Sequence, residues 1–215
     1  MWIMSVTLID SMGNDLSVVN AARVSFGKRH NSLTTGDERL INYLAKHGHW
    51  TPFGHATLSF LIEAPIFVAR QLVKHQIGLT WNEVSRRYVD YEPEFHYPDV
   101  WRGRADDKKQ GSSEETVAWL NREERIGHRL ITICESARRT YLDMLKAGVC
   151  PEQARMVLPQ NTLTEWYWTG SLYAFARVCN LRCQEDAQEE TRDICWEIDK
   201  LTKEIFPVSW KALRE

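Results

Sequence analysis

The apolar positions of this chain change period several times, and each change marks an element. Trp2, Met4, Val6 and Leu8 share one parity, the mark of a half-buried strand. Gly13-Asn14-Asp15 breaks that run, and Asn14 or Asp15 caps a helix through Val18, Val19, Ala22 and Val24. A polar loop covers 27–36. Asp37 to His47 then reads as a helix, with Leu40, Ile41, Leu44 and Ala45 on one face and Gly48 as its stop. Ala56, Leu58, Phe60 and Ile62 alternate with polar neighbours, which predicts a strand ending at Pro65. Pro65 suits the first turn of a helix from Ile66 to about Gln76, closed by Gly78. The pattern is broken and polar from Leu79 to Arg87, and Val89, Tyr91, Phe95 and Tyr97 suggest extended chain before Pro98.

Residues 102–113 carry almost no apolar side chain, which predicts a mobile surface loop rather than a domain linker. Ser112 or Ser113 is placed to cap a long helix running to Lys146 and closed by Gly148. Pro151 opens a short helix that Pro159 ends, and Thr162 to Trp168 reads as a strand. Two helices follow, Leu172–Cys183 and Glu185–Ile205. No repeat or low-complexity tract interrupts the chain. The sum predicts an α/β (α+β), helix-rich fold forming one domain over residues 1–215.

Composition narrows the class. In 215 residues, 27 Lys and Arg face 29 Asp and Glu, a net charge of -2 that argues against a protein that coats DNA or RNA. Nine Trp, seven Tyr and seven Phe are too many for a disordered chain. No apolar run reaches the roughly 18 residues of a membrane span, and the N-terminus lacks the pattern of a signal peptide, so a cytoplasmic protein is expected. The five cysteines, Cys134, Cys150, Cys179, Cys183 and Cys195, form no CxxC and point to reduced thiols. Cys179 and Cys183, four apart, read as small buried hydrophobes or as a metal pair.

Candidate chemistry is densest between 70 and 88. Arg70 and Lys74, and Gln71 and His75, are four apart and would share helix faces. Four basic residues face one acid between 70 and 87, which suits a phosphate-bearing small ligand or a solvated surface. Arg155 lies in apolar sequence and needs a carboxylate or a ligand phosphate as partner. Arg182 could salt-bridge, or stabilise charge developing on a ring carbonyl. His47, His49 and His55 cluster, but no Asp, Glu or Cys at ligand spacing joins them, and no metal is expected. Glycine-rich phosphate loops and nucleophile elbows are absent. A helical interaction protein presenting Trp166, Tyr167 and Trp168 is the competing class.

Arg70-Gln71-x-x-Lys74-His75-Gln76, followed by Asn82-Glu83-x-Ser85-x-Arg87-Tyr88, resembles the signature of flavin-dependent thymidylate synthases: RQ, two residues, RHR, a gap, then NExSxRY. Further blocks look like the same family in the same order: residues 12–17 with 21–26, Lys46 to His49 with Thr51-Pro52-Phe53 and His55, Ala154-Arg155 to Leu158-Pro159, and Asn180-Leu181-Arg182 with Ala187-Gln188. The resemblance spans nearly the whole chain except the stretch near 100–125.

The resemblance implies a fold with a small mixed sheet and the reductive methylation of dUMP to dTMP. Methylenetetrahydrofolate would give the carbon and NADPH the reducing equivalents, through FAD. It also implies a homotetramer with shared active sites and no enzyme nucleophile on the pyrimidine, in keeping with the lack of an activated Cys or Ser in the sequence. Gln71, Lys74, Glu83, Ser85, Arg87 and Arg155 would surround the nucleotide, with Arg182 as the catalytic contact to the uracil. Thr51, Lys74, His75, Gln76 and Glu83 would lie beside the flavin, and His49 on the folate side. The sequence departs at the triplet, where Lys74 replaces a bidentate guanidinium and Gln76 a full charge. Ser171-Leu172-Tyr173 and Arg177 stand where many members carry Asn, Arg and Asn near FAD, and Arg177 is a candidate to restore the missing charge. A variant acting on another pyrimidine deoxynucleotide such as dCMP, one giving a hydroxymethyl product, and a non-catalytic nucleotide-binding homologue stay open.

Overall fold

The computed structural model describes residues 4–106 and 111–214. The chain begins with strand β1 (Ser5–Met12); Trp2, the first residue of the expected alternation, lies outside the described residues. Asn14 caps α1 (Asp15–Arg23) by accepting from Ser17 N, and Ser17 answers the Asn14 N–H, a reciprocal capping box. Thr34 and Asp37 repeat the device at α2 (Thr35–Lys46). The short α3 (Thr51–Gly54), which the apolar pattern did not predict, places Pro52 in its first turn. In β2 (Thr57–Pro65) Leu58, Phe60, Ile62 and Ala64 are buried, the parity the sequence predicts.

Helix α4 (Ile66–Leu72) ends a turn earlier than expected. Lys74, His75 and Gln76 are therefore not helical, and the face-sharing pairs Arg70/Lys74 and Gln71/His75 do not form. The chain instead turns through Gly78 at φ +77 into β3 (Leu79–Glu83). The polar look of that stretch hid an edge strand, in which half-buried Leu79 and Trp81 alternate with exposed Thr80 and Asn82.

The expected mobile loop is also corrected. Arg102–Arg104 (β4) pairs antiparallel with Ser112–Thr116 (β5), with Arg104 opposite Ser112. A backbone ladder needs no apolar side chains, so composition concealed it. The long helix α5 (Ile126–Lys146) accordingly starts well after Ser113. Then come α6 (Pro151–Ala154), β6 (Leu163–Ser171), α7 (Leu172–Arg182), α8 (Glu189–Ile205) and α9 (Pro207–Arg214), the last absent from the sequence reading.

Strands β1, β2, β6 and β3 form a four-stranded sheet in that order. The bonds Leu172 N to Ala56 O (2.8 Å) and Ile66 N to Thr162 O (2.9 Å) make β2 and β6 antiparallel, and Ser171 N to Gly78 O (3.1 Å) with Val84 N to Glu165 O (2.9 Å) does the same for β6 and β3.

The chain divides into two compact units, one with residues 4, 63–72 and the described part of 83–166, the other with 5–62, 73–82 and 167–214. In the first, Val68, Leu72, Phe95, Cys134, Tyr141, Ala154 and Trp166 are buried. In the second, Phe60, Trp168 and Phe175 make edge-to-face contacts at 5.1 and 5.3 Å. Ile41, Ile198 and Trp210 are also buried there. Trp166 and Trp168 are thus core residues, and of the three aromatics watched as a partner surface only Tyr167 is exposed.

Candidate active site

In the unit built on α7, Ser171 caps the helix by accepting from Ala174 N. A Cβ on Gly78 would lie 3.2 Å from the Ala174 Cβ, and one on Gly170 would lie 2.5 Å from the Gly78 carbonyl oxygen. The two glycines let the turn holding Lys74, His75 and Gln76 press against the start of α7. Lys74 and Gln76 are exposed and His75 is half-buried. Arg182, at the end of α7, donates from Nε to His75 Nε2 at 3.0 Å. The partner of Arg182 is therefore an imidazole, not the carboxylate of a simple salt bridge.

Burial, and then the charges of Arg182 and Arg177, hold the His75 pKa below its ordinary value. A neutral ring accepting at Nε2 carries its proton on Nδ1. On the same unit, exposed Thr51 opens α3, and the exposed Trp50 ring lies 6.2 Å from that of Tyr173 at the start of α7. His49 is exposed, its ring 6.1 Å from Tyr43 and its N–H bonded to Leu44 O. Two guanidinium groups, a neutral imidazole and exposed aromatic rings suit a ligand that combines anionic phosphates with a planar ring. Trp50 was not singled out in the sequence; its signal was an aromatic directly before the Thr51 block.

The other unit holds a second set. Gln71 is half-buried on α4. Glu83 Oε1 accepts from Thr164 Oγ1 at 2.9 Å. Ser85 Oγ accepts from Arg87 N at 3.3 Å, and its carbonyl accepts from Tyr88 N and Val89 N, so the stretch after β3 is a tight turn. Arg87 Nε lies 3.5 Å from Glu152 Oε2, and Arg155 Nε donates to the Glu152 carbonyl at 3.3 Å. Glu152 thus joins the two arginines. Arg155 is exposed, and neighbouring Met156 is 73% exposed, so the apolar sequence around Arg155 does not bury it. The guanidinium stands solvated on a short helix, so of the two expected partners a ligand phosphate stays open to it. Arg86, one of the four basic residues of the motif, is structural: buried, it donates to Tyr91 O at 2.9 Å and lies over the Tyr91 and Tyr141 rings. Glu152 and Thr164 escaped sequence reasoning because lone polar residues in short elements carry no pattern.

Among the described residues, the group with metal-ligand geometry is Cys179, Cys183 and Asp199, not the histidines. His47 instead lies with its ring 4.3 Å from that of Tyr43.

Residues 7–208 match the family described as thymidylate synthase complementing protein. The flavin-dependent thymidylate synthase of Kosmotoga olearia is 41% identical over 96% of this chain and 88% of its own length. That of a Thermus thermophilus strain is 38% identical over 98% of this chain and 75% of its own. Among solved structures, the UMP/dUMP methylase PolB from Streptomyces cacaoi, bound with 5-Br dUMP, superposes with a TM-score of 0.84 at 29% identity, covering 98% of this chain and 94% of that one. The chain belongs to the flavin-dependent thymidylate synthase family. It is an enzyme of the methyltransferase kind.

Proposed function

We propose that the chain, acting as one domain over residues 1–215, methylates dUMP to dTMP with methylenetetrahydrofolate as carbon donor, NADPH as reductant and FAD as cofactor. The observation that carries this is the pair of arginine groups, Arg87 with Arg155 and Arg182 with Arg177, in a chain whose relatives carry that name. Arg87 and Arg155 bind the nucleotide phosphate, with Gln71, Lys74 and Ser85 as further contacts. Glu83 orients the ligand while Thr164 holds its carboxylate.

Arg182 donates to a uracil carbonyl and stabilises the ring with N3 ionised, whose added negative charge makes ring carbon five more nucleophilic. His75 keeps that guanidinium aimed. Thr51, His75, Glu83 and Arg177, with Lys74 and Gln76 in the exposed turn, hold the flavin, and His49 meets the folate. When bound, a flavin supplies two-electron chemistry, taking up a hydride and giving one back. Exposed Ile131 and Ile133 on α5 support assembly into a homotetramer, in which their burial removes apolar surface from water. The described helices include none long and apolar enough to cross a membrane. A small-molecule enzyme working in the cytoplasm, with no nucleic acid polymer as partner, is the reading that follows.

A second reading is UMP as an additional substrate, supported by the neighbour named as a UMP/dUMP methylase. The test of the main proposal is the visible spectrum of protein incubated with FAD and desalted, then followed anaerobically with NADPH with and without dUMP. A retained flavin band that bleaches, at a rate dUMP changes, is expected. A protein that stays colourless removes the flavin from the proposal. Arg177→Ala is expected to weaken flavin retention, and unchanged affinity would show that Arg177 does not restore the charge lost at Gln76.

A further inference from the structure

Helices α7, α8 and α9 gather a sulfur cluster that the proposed chemistry does not use. Cys179 is buried and Cys183 half-buried, and their sulfurs and an oxygen of Asp199 lie within 4.8 Å of one another. Two sulfurs and a carboxylate are a ligand set for a soft cation. Here a guanidinium supplies the positive charge. Arg214 Nε donates to Asp199 Oδ1 at 2.6 Å, and Trp210 Nε1 donates to the same oxygen at 3.1 Å.

The groups facing Cys183 are Cys179 on its own helix, Asp199 and Cys195 on α8, and Arg214 on α9; Arg182 precedes it in the chain. The Cys179 S–H bonding to Cys183 lowers the Cys183 thiol pKa; burial opposes this, Arg214 adds to it, and Asp199 opposes. Burial pushes the Cys179 thiol well above its ordinary value, so it stays protonated, its S–H also 3.6 Å from the Cys195 carbonyl. Cys195, buried, is raised too. Of the three thiols Cys183 is the one partly open to solvent, and its sulfur lies within 4.8 Å of that of buried Cys179.

We propose that Cys183 is a redox-sensitive thiol that reacts with hydroperoxides, and that Cys179 resolves the product into a disulfide beside Arg182. In the first step the Cys183 sulfur attacks the terminal peroxide oxygen and the O–O bond breaks. A sulfenic acid forms, and the alcohol (or water, from hydrogen peroxide) leaves with one proton. The Cys179 sulfur then attacks the sulfenic sulfur, the S–S bond forms, the S–O bond breaks and water leaves. Two thiols have given two electrons to one peroxide.

Cys183 caps the C-terminus of α7, with its N–H bonded to Cys179 O at 3.0 Å, so the two thiols are one helical turn apart. Closing the bridge must move that last turn, which carries Arg182. The consequence for nucleotide binding rests on the proposed role of Arg182; the thiol chemistry does not.

The test uses the full-length reduced protein pulsed with iodoacetamide across a pH series, with exposed Cys150 as internal reference. The labelling midpoint of Cys183 is expected below that of Cys150, and both Arg214→Lys and Cys179→Ala are expected to move it up. The lysine keeps the charge but not the guanidinium geometry, so it guards against a variant that fails to fold. A midpoint at or above that of Cys150 overturns the proposal. After a hydrogen peroxide pulse, a non-reducing tryptic digest is expected to hold peptides 178–182 and 183–192 joined until a reductant parts them. Absence of the joined pair overturns the resolving role of Cys179. Loss of the dUMP-induced thermal shift on oxidation alone is expected; no shift even in reduced protein counts against the proposed function and leaves the thiol result standing.

Discussion

Asp37 is fully buried, and every strong contact it makes is to a donor. Arg23 gives Nε and Nη2 to Oδ1 at 2.8 and 2.6 Å, while Oδ2 meets His30 Nδ1 at 2.8 Å and the Thr34 hydroxyl at 2.7 Å. Burial alone would raise its pKa, but the Thr34, His30 and Arg23 bonds outweigh it and hold the carboxyl well below the usual carboxylate range. A depressed native pKa stabilises the fold above the unfolded value of about 3.9. That contribution is lost as pH falls from there through the native value. Asp37→Asn is expected to cost about 3 kcal/mol in denaturant unfolding at pH 7 and to flatten the acid limb; a loss under about 1 kcal/mol contradicts this account. His75 gives a second pH signature. Its pKa is also depressed, so stability is present above about 6.5 and falls as pH drops below that. Protonation would face Arg182 with a like charge at 3.0 Å. His75→Gln, which keeps an acceptor, is expected to retain dUMP binding while flattening the acid side of its pH profile. His75→Leu is expected to weaken binding at all pH values, and a Leu variant that matches wild type removes the positioning role. The motif named His75, Arg182 and Arg87 because charged residues at family spacing are legible. Their partners were not: the acceptor for Arg182 lies 107 positions away, a distance no local pattern encodes.

The elements were legible where side chains alternate against a core and opaque where backbone or distant groups decide. Strand β2 came out with its predicted buried parity because one face packs and the other does not. Helix α9 was missed because its cap comes from Asp15, whose carboxylate accepts from Val208 N and Ser209 N at 3.0 and 2.8 Å across 193 and 194 residues. The early end of α4 was missed because it depends on a turn pressed against α7, and the fit depends on Gly170. Gly170→Ala would drive a Cβ to 2.5 Å from the Gly78 carbonyl oxygen, a backbone atom that cannot swing away. This variant is expected to lower Tm by several degrees and to weaken ligand binding by disturbing the turn that holds His75. Hydrogen exchange slowed as in wild type at residues 73–79 would contradict that account.

At the scale of the molecule, the near-neutral charge argued against a nucleic-acid coat, the family spacing pointed to one enzyme family, and the match over residues 7–208 establishes it. The site is a different matter. Each compact unit holds its own part of the polar set, and the sequence gives no sign of which partners complete it. Arg87 and Arg155 are joined by Glu152 in one unit; Arg182, His75 and Arg177 form a cationic group in the other. The replaced triplet lies in an exposed turn at Lys74 and Gln76, and the charge of Arg177, on the same unit, acts on His75 between them. The central claim is that this remodelled chain still completes the methyl transfer. The most direct measurement is mass-spectrometric detection of product from dUMP, methylenetetrahydrofolate, NADPH and FAD under anaerobic conditions, with omission of each component and with UMP in place of dUMP. The account predicts dTMP, formed only when all four are present. Unmethylated dUMP from a folded, flavin-loaded protein would contradict it.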